Sequence, residues 1–266
     1  PPANLATALP AVRPALPLVL QLPGAAMNGM QPERIVQALE GVLDRINLDL
    51  GVPLPRIALV PTTGAQEFVL LAHEVPIARG ALPEANSGDM PSALAELVTQ
   101  SLRRHLGLFF GTQDANSYLM RASHELPDVV KEVLRALPLQ RVADILRRLI
   151  EEEAPIRNSR DILEALADAA QREKDVHALT EFARIAQKRQ LSHRVAPDGH
   201  LRALLLAPAL EEVLRQAIRV VGGQQVLATG EQLVGVARMP HVEQQPSVAK
   251  VKHVVQGDRE LHHAEV

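Results

Sequence analysis

Between residues 92 and 190 the chain places apolar residues at three- and four-residue steps, and short joints marked by Pro127, Pro138 and Pro155 interrupt the run. That spacing gives each segment one apolar stripe, so the segments must pack on one another as helices. The segment 155–175, PIRNSRDILEALADAAQREKD, shows the logic. Asn158 can cap a helix, with Asp161 standing three residues on as a shorter form of a capping-box acid. Ile162, Leu163, Leu166 and Ala169 or Ala170 then form the buried stripe. Burying each large side chain stabilises by roughly 1.5–3 kcal/mol. Ordering each residue's backbone costs about 1–2 kcal/mol. Three such side chains cannot hold this helix alone, so the region must be a multi-helix subdomain.

The remaining segments follow the same reading. Helices are expected near 92–107, 112–124, 127–136, 139–153, 159–170 and 175–190. Upstream, QPERIVQALEGVLDRINLDLG (31–51) is an amphipathic helix with Pro32 at its start and Gly51 as its stop. Short apolar runs at 18–22, 56–60 and 67–75 are read as strands, with His73 a structural residue on the last. Residues 200–208 read as a buried strand and 208–221 as a helix ended by Gly222 and Gly223. The fold class is therefore α+β, predominantly α, with several small subdomains. An N-terminal α/β unit precedes a multi-helix subdomain and a small strand–helix C-terminal subdomain.

Composition narrows the function. The 266 residues are 47% hydrophobic but only 2% aromatic, with no Trp and a single Tyr, Tyr118. The core is thus aliphatic, and aromatic platforms for single-stranded nucleic acid are not expected. The net charge is −3 with the arginines scattered, so no nucleic-acid partner is expected. With no Cys, disulfides, thiolate metal sites and Cys nucleophiles are excluded. No apolar run reaches the roughly 18 residues needed to span a bilayer. Residues 1–15 hold four prolines and read as a linker. The first residue is not Met, which fits a fragment of a longer protein, processing or trimming.

Candidate chemistry is sparse. His262, His263 and Glu265 could ligate zinc or nickel, but their spacing matches no helix-borne pair, and a disordered terminus is the plainer reading. Ser192, His193, Asp198 and His200 lie close in sequence, which is not evidence for a spatial triad, and no G-x-S-x-G elbow is present. Glu151, Glu152 and Glu153 read as a solvated face paired with Arg147 and Arg148, and Asp144 stands one turn before Arg148. No Gly-bearing joint has Walker or dinucleotide spacing. No catalytic, cofactor-binding or metal residues are assigned; a non-enzymatic module offering helical surfaces to partners is expected.

Residues 155–186 add a specific resemblance. Pro155, Ile156, Arg157 and Asn158, then Ile162 to Leu166, Lys174 and Asp175, Leu179, Glu181 and Arg184 follow the cytosolic domain of the large export-gate protein of type III secretion systems. GVPLPRIALV with VLLAHEVPIARG resembles that family's first subdomain. FFGTQDANSYL (109–119) resembles the entry to its helical third subdomain and leans to the injectisome branch. LRALLLAPALEEVLRQAIR resembles its fourth. The resemblance covers roughly 16–221.

It implies a first subdomain at 16–107, a remnant of the second at 81–91, a helical third at 108–190, a partial fourth at 191–228 and a divergent or poorly ordered tail at 229–266. It also implies the cytosolic part of a bacterial inner-membrane protein that forms a ring, a nonamer. The ring receives secretion substrates and chaperone–substrate complexes and meets other export-apparatus proteins. Membrane contact would come only through an N-terminal region outside this chain. The family inserts a sizeable second subdomain after PIARG; here only ALPEANSGDMP bridges the gap, and no chaperone-groove residue is carried over. Residues after about 228 depart from the family pattern. Arg157 and Asp161 are the expected residues near the ring surface; the alternative is that they simply cap and solubilise their helix. The alternative function is a degenerate or free-standing helical scaffold or adaptor without export function, and an enzyme comes third.

Overall fold

The computed structural model describes residues 13–29, 32–63, 67–83 and 90–202, with Pro208, Glu212, Arg215, 218–221, 224–227 and 248–250. The chain divides into two compact units, Pro1–Gln187 and Lys188–Val266.

The first unit opens on an apolar strand, β1 (Leu18–Pro23), in which every residue but Gln21 is buried. A short helix, α1 (Gly24–Gly29), precedes the long amphipathic α2 (Pro32–Leu50). Ile35, Leu39, Val42, Ile46 and Leu50 form the buried stripe of α2. Then follow β2 (Ala58–Thr62), β3 (Glu67–Ala72) and β4 (Val75–Ala81), giving the sheet order β2-β1-β3-β4. β1 pairs parallel with β2, from Val19 opposite Ala58 to Pro23 opposite Thr62. Parallel neighbours need a long crossover, and α2 supplies it. The other two pairings are antiparallel.

The segment 67–75 is not one strand. The chain reverses at His73 (φ 48°) and Glu74 (φ 65°), placing Ala72 opposite Val75. Two consecutive positive φ values are what a two-residue hairpin turn of the right twist needs, normally from Asn or Gly. Here fastening takes their place. The His73 N–H donates to Pro17 O (3.0 Å), its ring stacks on Phe109 with centroids 5.9 Å apart, and Glu74 Oε1 accepts the Leu16 N–H (3.2 Å). His73 is therefore a turn residue.

The helices begin with α3 (Met90–Arg103), which packs on α2. After a 3-10 turn at Leu106–Phe109 come α4 (Thr112–Ser123), α5 (Pro127–Ala136), α6 (Leu139–Glu151), α7 (Ser159–Ala169) and α8 (Val176–Ala186). The proline joints work as expected: Pro127 takes the first turn of α5 and Pro138 the N-cap of α6. α6 is the hub. Val142, Ala143, Ile145, Leu146, Leu149 and Ile150 are all buried, because α4 and α8 both pack against it. In α7, Ile162, Leu163, Leu166 and Ala169 are buried, and the Asp161 N–H donates to the capping Asn158 Oδ1 (3.3 Å). Asp175 caps α8 in the same way, accepting from Ala178 N–H (2.9 Å).

The expected helix 175–190 ends early, at Ala186. A separate helix, α9 (Lys188–Val195), opens the second unit and buries no residue, because its sequence lacks an apolar stripe. The second unit also contains two antiparallel pairs, β5 (His200–Arg202) with β8 (Val248–Lys250) and β6 (Ile218–Val221) with β7 (Gln224–Leu227). The helix expected over 208–221 thus overruns: Pro208, Glu212 and Arg215 are helical, but Ile218–Val221 is a strand. Its β-branched residues suit a pleated pairing with β7 better than a helical turn. Of the strand expected at 200–208, only β5 lies within the described residues.

Leu163 and Leu166 are fully buried. Leu166→Ala should cost about 2–5 kcal/mol. Leu163→Asp should cost more, since an unpaired charge would enter an aliphatic core. Circular dichroism melts check both; unchanged melts would contradict this packing.

Candidate functional site

A helix of the length of α2 leaves carbonyls at its C-terminus without intrahelical partners. The last turn of α2 contains no basic residue of its own. Gly51 (φ 80°) turns the chain, and its N–H donates to Asn47 O (2.8 Å). The segment before α7 completes the end. The Ile156 N–H donates to Leu50 O (2.8 Å), and the Arg157 guanidinium donates to Leu48 O. Arg157 thus brings, from the segment before α7, the cation that a helix C-terminus favours. A Cβ on Gly51 would lie 2.8 Å from Arg157 Cγ and 3.2 Å from its backbone nitrogen. Glycine is therefore required both for the positive φ and for the close approach.

A second tie lies alongside. Arg103, at the end of α3, bridges Asp49 on α2 (2.6 Å) and Glu153 beyond α6 (2.6 Å). Burial lowers the Arg103 pKa, but hydrogen bonds to both carboxylates outweigh it and raise the net value. Glu152 pairs with Arg184 of α8, and Arg147 pairs with Asp144 (3.2 Å) while donating to Phe110 O (3.1 Å). The three glutamates are thus salt-bridged in part, but with distant arginines rather than the expected Arg147 and Arg148: once the helices pack, those partners are nearer.

Beside the captured end of α2, a cleft of about 630 Å³ opens. Buried Tyr118, Ala122 and Ile156 line it, together with exposed Leu48, Pro53 and Arg121. Arg157, Ser159, Asn47 and Glu125 complete its polar wall. Three sequence motifs therefore converge here: GVPLP, FFGTQDANSYL and PIRNS. Tyr118 is 6% exposed, and its hydroxyl is buried with no hydrogen-bond partner. Burial pushes its pKa well up, only partly opposed by the nearby Arg121 charge, so the phenol stays protonated.

Of the expected surface residues, Arg157 is exposed and occupied on Leu48, while Asp161 closes the α7 cap, accepting from Asn158 Nδ2 (2.6 Å). Ser192 and His193 lie on α9; Asp198 and His200 follow it, with the Asp198 carboxylate accepting the His200 N–H (3.1 Å). His262, His263 and Glu265 lie outside the described residues. Among the described residues no group of three or more Asp, Glu or His could hold a metal ion, and no helix is long and apolar enough to cross a membrane. Tyr118 was visible in the sequence only as the single tyrosine, and nothing marked Arg121.

Comparison with known proteins gives three consistent findings. The model of the FHIPEP family matches residues 83–255, running past both residue 221, where the resemblance in the sequence ends, and residue 228, after which a departure from the family pattern is expected. Protein hrpC2 of Xanthomonas euvesicatoria is 37% identical over 217 residues, covering 80% of this chain. The chain spans 33% of that relative's length. Among solved structures, the C-terminal domain of InvA matches with TM-score 0.70 and 26% identity, over 84% of this chain and 81% of that one. Nonameric SctV-C of EPEC matches in fold with TM-score 0.69 and 24% identity, over 85% of this chain and 83% of that one.

The seam yields a measurable ranking. Gly51→Ala should cost about 2–3 kcal/mol, from positive φ and the clash with Arg157. Arg103→Ala should cost about 1–3 kcal/mol, because two carboxylates lose a charged hydrogen-bond donor. Urea unfolding of each variant checks the order; a neutral Gly51→Ala would disprove the close approach.

Proposed function

The chain belongs to the FHIPEP family, and on that premise we propose that it is the cytosolic, ring-forming segment of a type III secretion export gate. The observation that carries the proposal is the fold match over 78% of the chain to the nonameric EscV cytosolic domain from a type III secretion system. The ring and its protomer count are properties of that protein, and their transfer to this chain is the proposal. In this reading the segment lies at the cytoplasmic face of the bacterial inner membrane. It receives secretion substrates and chaperone–substrate complexes and contacts other export-apparatus proteins. It acts by binding and assembly, without making or breaking covalent bonds.

The cross-ties within the first unit support this reading. A ring closes only if each protomer presents two surfaces at a fixed angle. The α2 end captured by Ile156 and Arg157, and the Arg103 bridge, fix the sheet layer against the helical layer within that unit. Subdomain limits at 16–107, 108–190 and 191–228 are part of the proposal. So is the placing of Arg157 and Asp161 near the protomer–protomer surface. Because Arg157 also holds the α2 end, Asp161 offers the cleaner probe.

Fusion of the chain to a tethering scaffold, followed by electron microscopy, tests the reading. Closed nine-fold rings are expected, and Asp161→Lys should reduce ring yield severalfold while the monomer's melt changes by about 1 kcal/mol or less in stability. Monomers alone at millimolar concentration and on the tether would favour a free-standing scaffold instead.

A further inference from the structure

A helix that stops on a left-handed residue usually stops on glycine, because a Cβ disfavours that conformation. The residue that turns the chain at the end of α6 is Glu153, with φ 54°. The stop is otherwise regular: the Glu153 N–H donates to Ile150 O (3.0 Å) and the Ala154 N–H to Leu149 O (2.8 Å). Glycine would suit this backbone better, so the glutamate must contribute something glycine cannot. Its carboxylate accepts from Arg103 (2.6 Å), and Arg103 continues to Asp49 in the last turn of α2 (2.6 Å). The strap from Ala154 to Arg157 follows directly and closes the end of α2 through Ile156 and Arg157. Strained non-glycine backbone persists only where surrounding contacts over-determine it, and it gathers at switching segments. Two opposed effects therefore meet at Glu153: backbone strain that favours release, and an ion-pair node that holds. The three side chains of the node are 26–43% exposed, so salt reaches and screens it. The buried Ile156 side chain keeps the strap closed in most molecules.

We propose that residues 153–157 are a clasp that opens as one piece while the helices on either side stay folded, with the Arg103 node as its catch and the Glu153 backbone as its spring. Closed, the clasp joins α2, α3 and the end of α6, and so holds the layers of the first unit together. Open, it frees the carbonyls of Leu48 and Leu50 and lets the end of α2 move relative to α6 and α7. Segments held by a few exposed contacts open at lower free energy than the core around them, and their open state is one that conditions can populate. Ionic strength controls this device, because screening weakens the catch and leaves the spring and the aliphatic core untouched. The clasp lies within one compact unit, so its opening does not require ring closure.

Native-state hydrogen exchange of the whole 266-residue chain, read amide by amide by NMR, provides the test. Leu146, fully buried in the middle of α6, reports complete unfolding. The Ala154 and Ile156 amides are expected to share one opening, about tenfold or more frequent than that of Leu146. Raising NaCl from about 0.05 to 0.5 M, or introducing Arg103→Met, should speed both amides by about five- to tenfold. Salt should add no further acceleration in Arg103→Met. Glu153→Ala removes the catch and keeps the strained backbone, whereas Glu153→Gly removes both. Ile156 should therefore exchange about fivefold faster in the alanine variant than in the glycine variant. Exchange of either amide only at the rate of Leu146, separate openings of the two, indifference to Arg103→Met, or equal rates in the two Glu153 variants would each overturn the clasp. Because ring formation is not read out, failure here leaves the assembly proposal standing, and the reverse holds.

Discussion

The unmet carbonyls at the end of α2 are the constraint on which the first unit depends. A nineteen-residue helix crossing a small sheet must stop somewhere, and its last carbonyls are met by another part of the chain. Ile156 and Arg157 satisfy Leu50 and Leu48 from a point more than a hundred residues away. This contact is directional, unlike the aliphatic burial elsewhere, so it sets the angle between sheet and bundle as well as their adhesion. Gly51 makes the approach geometrically available, and Arg103 repeats the tie one helix over.

Burial supplies the adhesion. α6 is shielded by α4 and α8, and it buries six side chains, more than any other described helix. Since the core contains few aromatics, its specificity comes from the interlocking of Leu, Ile, Val and Ala stripes and from capped ends. Asn158 and Asp175 illustrate the second means: each places a side-chain oxygen on a backbone N–H in the first turn of its helix.

Local signals made much of this visible in advance. The stripe of α7, its Asn158 cap, the Pro127 and Pro138 boundaries and the glycine stop of α2 all depend on residues within one or two turns. The errors arose where distant contacts override local preference. His73 and Glu74 adopt a turn without Gly or Asn because Phe109, Pro17 and Leu16 hold them there. Ile218–Val221 continues a helical pattern in sequence but finds a strand partner in Gln224–Leu227. The cleft was the least visible feature. Each of its three contributing motifs could be read alone, but neither the convergence of Tyr118, Arg121 and Arg157 nor the orphan phenol has any signature in spacing.

β4 lies at the open edge of the sheet and ends at Ala81, and the next described element, α3, begins at Met90. The position of α3 is set by its packing on α2 and by Arg103, not by the length of the connection from β4. α3 is therefore held by contacts distant in the chain, and its place in the first unit is decided by those partners rather than by its neighbour in sequence.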